Sequence, residues 1–267
     1  MPALAYHADD GAAYERFLGR WSGRLAEVLI DFAKLPADGP LLDVGCGTGS
    51  VALELSRRYP GRAVCAVDVS AAYLAFARGR EGGEGIRFEQ ADGLDLPFDA
   101  GMFSGSIAQL ALNFMPDPRR AAQEMRRVTR AGGVVAAAVW DFRGGLVFQR
   151  LFWDTAAAID PQAALTRDRL FAHPLAQPEG LVGLWQEIGL QDIERGSLTI
   201  RMDYQSFDDY WAPLLGGQGP FGSYVAGLSE PRRARIRASV QAAYLAGAPD
   251  GPRSLAATAW AVRGRAP

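Results

Sequence analysis

Residues 41–49 read Leu-Leu-Asp-Val-Gly-Cys-Gly-Thr-Gly, a run that few folds accommodate. An apolar stretch short enough to be a strand passes into three alternate glycines, and a helical pattern begins at Ser50. Glycines there allow a tight turn and let the backbone approach a ligand without side-chain collision. The helix that follows presents unpaired amides and the positive end of its dipole at the same spot. A strand, glycine loop and helix in this order form the context in which a nucleotide loop works.

The chain around the loop has the matching period. From Leu41 onward short apolar runs alternate with helical stretches, with strands expected at Leu41–Val44, Ala63–Val67, Ile86–Gln90, Phe103–Gln109 and Val134–Trp140. Helices are expected at Ser50–Tyr59, Ala71–Arg80 and Arg119–Thr129, with Asp117-Pro118 as a helix start and Gly132-Gly133 as the turn into the next strand. Strands apolar along their length and alternating with helices predict an α/β fold, a parallel sheet covered on both faces. Upstream, Leu18, Trp21, Leu25, Leu29 and Phe32 recur at spacings of three and four, predicting an amphipathic helix over Tyr14–Leu35. Beyond Trp140 the alternation gives way to mostly helical, aromatic-rich stretches. Two more strands are expected near Ile193–Met202 and Leu255–Val262, with a helical insertion between them.

The spacing Gly-x-Gly-x-Gly, with Ser50 next, departs from the dinucleotide fingerprint, which asks for glycine or alanine at that place. Asp43 precedes the glycines, where a carboxylate either orders the loop or meets an ammonium group; it would repel a pyrophosphate. Asp68 ends the next strand, 19 residues past Gly49, close to the roughly 20 expected of an acid that takes hydrogen bonds from ribose hydroxyls. An aspartate there also serves as a helix cap.

These residues resemble class I S-adenosylmethionine-dependent methyltransferases of the small-molecule type, and the likeness runs from Leu41 to Trp140. Asp68-Val69 looks like the family's second motif. Gln90-Ala91-Asp92-Gly93, followed by Leu96-Pro97-Phe98-Asp99, looks like the segment whose Asp contacts the adenine amine. Phe103 to Phe114 with Met115-Pro116-Asp117-Pro118 resembles the fourth strand and its exit. Arg127 to Val134 matches the helix and glycine turn before the fifth strand. The resemblance implies a Rossmann-like seven-stranded sheet, mostly parallel, with the last strand antiparallel and helical cap insertions. It places the cofactor S-adenosylmethionine (product S-adenosylhomocysteine) against Asp43, Gly45, Cys46, Gly47, Gly49, Asp68, Val69, Asp92, Gly93, Ala108 and Gln109. For Gln109 a plain polar strand end is the alternative.

The opening Tyr14 to Trp21 looks like a helix that covers the cofactor. Arg20 then clamps the methionine carboxylate, or is simply an exposed arginine on an amphipathic helix, and Tyr14 has the same two readings. Ser104 follows Phe103 where the family often has Asp, and Asn113 stands where it commonly has His, so a basic role at that exit is doubtful. The expected organisation is a covering segment at 1–36, a cofactor-binding core at 37–143, and a helical cap at 144–190. The rest of the sheet follows at 191–267, interrupted by the insertion at 204–250.

The expected function is methyl transfer by in-line displacement to a small-molecule acceptor. The alternatives are a cofactor-binding sensor or scaffold without transfer activity and, against the glycine spacing, a nicotinamide-dependent oxidoreductase. No catalytic residue is assigned: His7 and His173 are the only histidines, and neither sits in a catalytic motif. No metal is expected. Net charge is −2 and the pI about 5.8, which gives no electrostatic footprint for nucleic-acid or anionic-membrane binding. Two cysteines, no secretion signal in the opening residues and no apolar run of about 20 residues predict a soluble, cytoplasmic protein. The sequence leaves the oligomeric state open.

Overall fold

The computed structural model describes residues 10–267. After a short helix α1 (Gly11–Tyr14) and a π-helical turn at Glu15–Gly19 come α2 (Arg20–Ala33), β1 (Leu41–Val44), α3 (Ser50–Arg58), β2 (Val64–Asp68), α4 (Ala71–Arg78), β3 (Arg87–Gln90) and β4 (Phe103–Gln109). They are followed by α5 (Pro118–Val128), β5 (Thr129–Trp140), α6 (Val147–Ala157), α7 (Pro161–Phe171), α8 (Gly180–Glu187) and β6 (Gln191–Tyr204). Three helices, α9 (Phe207–Trp211), α10 (Gly219–Ala226) and α11 (Glu230–Leu245), lead into β7 (Arg253–Arg265).

The seven strands form one sheet in the order β3-β2-β1-β4-β5-β7-β6. The first five run parallel, and β7 is antiparallel to both β5 and β6. This is the Rossmann-like arrangement expected of the sequence. Side chains alternate across the sheet: Leu41, Ala66, Ile107 and Ala136 enter one core layer with α2 and α3, and Leu42, Val67, Ala108 and Ala137 enter the other with α5 and α8. The chain crosses to the β2 side after β1 and returns to place β4 on the other side. The switch point therefore lies between β1 and β4, where open α/β sheets hold their ligands, beyond the carboxyl ends of the strands.

β1 and β4 have the bounds expected of them, and β2, β3 and α3–α5 begin or end within two residues of expectation. Two elements differ. The helix expected from Tyr14 is interrupted by the π-helical turn, so α2 begins only at Arg20. β5 begins at Thr129 rather than after the glycine pair. Thr129 pairs with Phe103, the register then shifts, and Gly132 at φ +72° sits in the shifted stretch, donating its N–H to the Ala266 carbonyl at 2.8 Å. The glycines mark a bulge inside a strand, not its start.

The helices after β5 and between β6 and β7 pack over the carboxyl end of the sheet through an aromatic cluster. Phe152 lies 4.1 Å from Phe221 and 5.0 Å from Trp153 between ring centroids, and Phe207, Tyr210 and Tyr244 stack behind. Among the described residues no helix is long and apolar enough to cross a membrane, and no group of three or more His, Cys, Asp or Glu could hold a metal ion.

Candidate active site

The glycine loop closes through backbone and carboxylate together. Gly45 and Cys46 both donate to the Val67 carbonyl, at 2.8 and 2.9 Å, which ties the loop to the end of β2. Gly45, Gly47 and Gly49 all have positive φ (+70°, +55° and +88°), conformations that other residues adopt only at a cost. Asp68 then fixes the loop from below: its two carboxylate oxygens accept N–H bonds from Gly47 and Ser70, each at 2.8 Å. Asp43 is fully buried and accepts the Ala52 N–H at 3.0 Å, capping the first turn of α3.

Above this loop lies a cavity of about 240 Å³ at the carboxyl ends of β1, β2 and β4. Of the thirteen residues assigned to the cofactor, ten line it: Tyr14, Asp43, Gly45, Cys46, Gly47, Asp68, Val69, Asp92, Gly93 and Gln109. Val69 is 61% exposed, an apolar face left uncovered at the rim. Asp92 accepts the Leu94 N–H at 2.9 Å through one oxygen, which shapes the loop after β3.

Three residues stand elsewhere. Gly49 is the N-cap residue of α3 and packs beneath the loop, where a Cβ would meet Ala77 and Phe88 at 3.3–3.5 Å. Ala108 is buried on the opposite face of β4, because side chains alternate along a strand; Gln109 and Leu110 face the cavity in its place. Arg20 does not reach the cavity. Its guanidinium binds Asp209 of α9, at 2.7 Å to the carboxylate and 3.2 Å to the carbonyl, and lies 4.5 Å over the Trp21 ring. A clamp already engaged by a carboxylate has no reason to leave it for a ligand, so Arg20→Ala is expected to leave cofactor affinity within about threefold. It should cost about 1–2 kcal/mol of stability, read by denaturant melts beside calorimetric titration.

Other contributors carry no local signal in the sequence. Glu15 accepts the Thr48 hydroxyl at 2.5 Å and an Arg80 N–H at 3.1 Å, and Arg80 also donates to the Thr48 carbonyl at 3.0 Å. This bridge fastens the N-terminal segment onto the glycine loop. Tyr14 stacks 5.5 Å from Tyr73, and its hydroxyl lies 3.2 Å from Ser22 Oγ. Leu110, at φ +59°, is one of the few described non-glycine residues in the left-handed region, and it stands at the strand end facing the cavity. His173 lies outside the cavity lining, and burial holds it below its usual pKa, hence neutral. His7 lies outside the described residues, as does the stretch before residue 10 of the expected covering segment.

Burial shapes the electrostatics. It pushes the Asp43 carboxyl up to about 8, against the lowering effect of the Ala52 N–H, and the Tyr14 hydroxyl to about 12. Burial also raises Asp68 and the Cys46 thiol, leaving Cys46 a small protonated residue and not a nucleophile. The folded protein therefore holds a proton on Asp43 that the unfolded chain loses near pH 4. Its contribution to stability is fully present below that value and is lost as pH rises toward 8. Melts at pH 5 and pH 8 are expected to differ by about 2–4 kcal/mol from this group, and Asp43→Asn should flatten the difference.

The fold and loop define an α/β protein with a cavity over a glycine-rich loop at its switch point. Residues 42–137 match the family described as "Methyltransferase domain". An uncharacterized protein of Mycobacterium tuberculosis is 24% identical over 223 residues, 81% of this chain and 80% of that one. The demethylmenaquinone methyltransferase of Thermus thermophilus is 35% identical over 116 residues, 43% of this chain and 51% of its own length. Among solved structures, phosphoethanolamine N-methyltransferase 2 of Haemonchus contortus, in complex with S-adenosyl-L-methionine, shares the fold. Its TM-score is 0.58 at 15% identity, over 96% of this chain and 56% of the other. The matched segment, residues 42–137, is a methyltransferase domain, and it carries the glycine loop.

Proposed function

We propose that this protein moves the methyl group of S-adenosylmethionine to a small-molecule acceptor held under the helical cap. One observation carries the reading: the cavity over the glycine loop shares Tyr14, Leu110 and Phe114 with a second, largely apolar recess under the cap helices. A cofactor cleft bordered by a small apolar recess suits a two-substrate transfer between small molecules.

The residues present suit the cofactor. Ser50 and Gln109 line the cavity, and Ser50 Oγ and Gln109 Oε1 are buried without a protein partner; buried polar atoms of this kind call for a ligand or water. Asp68 can take the ribose hydroxyls on its remaining lone pairs while it holds the loop. Val69 and Met115 offer apolar faces to a purine, and the rim aspartate Asp92 stands where an adenine amine would be read. When bound, the cofactor supplies an electrophilic methyl on a sulfonium, ready for in-line displacement.

The protein's own part is orientation and exclusion of water. Gln109 donates to the Ser22 carbonyl at 2.9 Å, which locks the β4 exit against α2. Among the described residues the cavity lining holds no histidine, lysine or arginine, so these walls hold the acceptor in place and offer no nitrogen base. The test is incubation with methyl-labelled S-adenosylmethionine and a panel of small hydroxylated and amino compounds. Labelled product and S-adenosylhomocysteine in equal amounts are expected. Label found only on protein or nucleic acid would overturn the reading.

A further inference from the structure

The recess beside the cofactor cavity has a volume of about 50 Å³ and, among the described residues, no charged side chain in its walls. Most of its lining is aromatic or aliphatic, but three residues each keep a buried polar atom without any partner: Trp140 Nε1, Trp153 Nε1 and Gln149 Oε1. The residues are 4%, 0% and 7% exposed. Buried polar groups are nearly always satisfied, because an unmade hydrogen bond keeps the full desolvation penalty. Three residues that line one small chamber thus carry polar atoms that the protein itself leaves incomplete.

The geometry points to an uncharged, hydroxyl-bearing ring compound as the acceptor, with its hydroxyl end in this recess; the assignment of the recess to the acceptor rests on the methyl-transfer reading. The hydrogen-bonding inventory is what selects the group. Two indole N–H donors and one amide oxygen complement a hydroxyl, which offers two lone pairs and one proton. A carboxylate would bring a charge into a chamber with no counter-charge, and a hydrocarbon would leave all three atoms unpaired. The volume takes the hydroxyl and the adjoining edge of a ring. The rest of the ring then lies against Leu110 and Phe114, which also face the cofactor cavity.

The fold holds the three atoms in place. Trp140 ends β5, while Gln149 and Trp153 lie four residues apart on α6 and so share one face of it. The Trp153 ring is braced by Phe152, Phe221 and Tyr224, at 5.0, 5.2 and 5.3 Å between centroids. Such a site is preorganised: the cost of holding buried polar atoms apart is met in folding, not at binding.

The experiment is calorimetry on the full chain, with and without saturating S-adenosylhomocysteine, using 2-naphthol, 2-methylnaphthalene and 2-naphthoate as shape-matched probes at neutral pH. Binding of 2-naphthol is expected, with each of the other two weaker by at least about tenfold. Gln149→Leu, nearly isosteric, should weaken 2-naphthol several-fold, leave S-adenosylhomocysteine affinity unchanged, and melt at or above the wild-type temperature because an unsatisfied buried oxygen is gone. Equal binding of the three probes, no binding of 2-naphthol, or full affinity in a folded Gln149→Leu would overturn the inference. If 2-naphthol binds as described but S-adenosylhomocysteine does not, the recess stands as a site for hydroxylated rings and the transfer reading falls instead.

Discussion

Asp68→Ala is expected to lower affinity for S-adenosylhomocysteine at least about a hundredfold while leaving a folded protein. The carboxylate does two jobs from one position. It accepts the Gly47 and Ser70 N–H groups, both at 2.8 Å, and so sets the shape of the loop, and on the proposed reading it also takes the ribose hydroxyls. Hydrogen bonds to a charged group are worth about 1.5–3 kcal/mol each, so two lost ribose contacts with a loosened loop reach or exceed the roughly 2.7 kcal/mol that a hundredfold requires. Asp68→Asn should fall between, because an amide offers one acceptor oxygen where the carboxylate offers two. Affinity should also fall on acidification, since burial already raises this carboxyl and its protonation removes an acceptor site. Calorimetric titration of the two variants, with thermal melts as a folding control, checks the order. An Asp68→Ala protein that binds within tenfold of wild type would show that the loop keeps its shape without the carboxylate.

Gly45→Ala is expected to be the most damaging single methyl in the site, costing about 2–4 kcal/mol and lowering Tm by several degrees. Two penalties coincide. The backbone sits at φ +70°, where a Cβ is strained, and that Cβ would lie 2.5 Å from the Ala111 Cβ and 3.3 Å from Met115 Cε. The loop has no room to retreat, because the N–H groups of Gly45 and Cys46 both bind the Val67 carbonyl. Relief must come from the Ala111 segment, which lines the cofactor cavity, so ligand affinity should fall along with stability. Gly47 gives the contrast: its φ is also positive, but a Cβ there meets only Tyr73 at 3.8 Å. Gly47→Ala should therefore cost about 1 kcal/mol, the backbone strain alone. Urea melts of the two variants side by side separate strain from collision.

The parts of this architecture that depend on local pattern are legible in the sequence. Short apolar runs between helical stretches of period 3.6 place β1 and β4 at their observed bounds, and the glycine loop locates the cavity. What the sequence hides depends on residues far apart in the chain. Arg20 meets Asp209 across 189 positions and Thr48 meets Glu15 across 33, and no periodicity encodes such a pair. The amphipathic pattern correctly puts Arg20 on the polar side of a helix, but its partner comes from a helix folded over the far end of the sheet. Ala108 is off by one residue for a simpler reason: in a strand a shift of one position changes the face. The recess is hidden because Trp140, Gln149 and Trp153 look in sequence like ordinary core or helix residues. Only their missing partners, visible in three dimensions, set them apart.

The most direct measurement is calorimetric titration of the full chain with S-adenosylmethionine, S-adenosylhomocysteine and NAD. Binding of the first two with one site per chain, and none of NAD, is the predicted result, because the loop has Gly-x-Gly-x-Gly spacing and Ser50 stands where a dinucleotide loop needs glycine or alanine. Tight NAD binding, or a folded sample that takes up neither adenosyl ligand, would contradict the account.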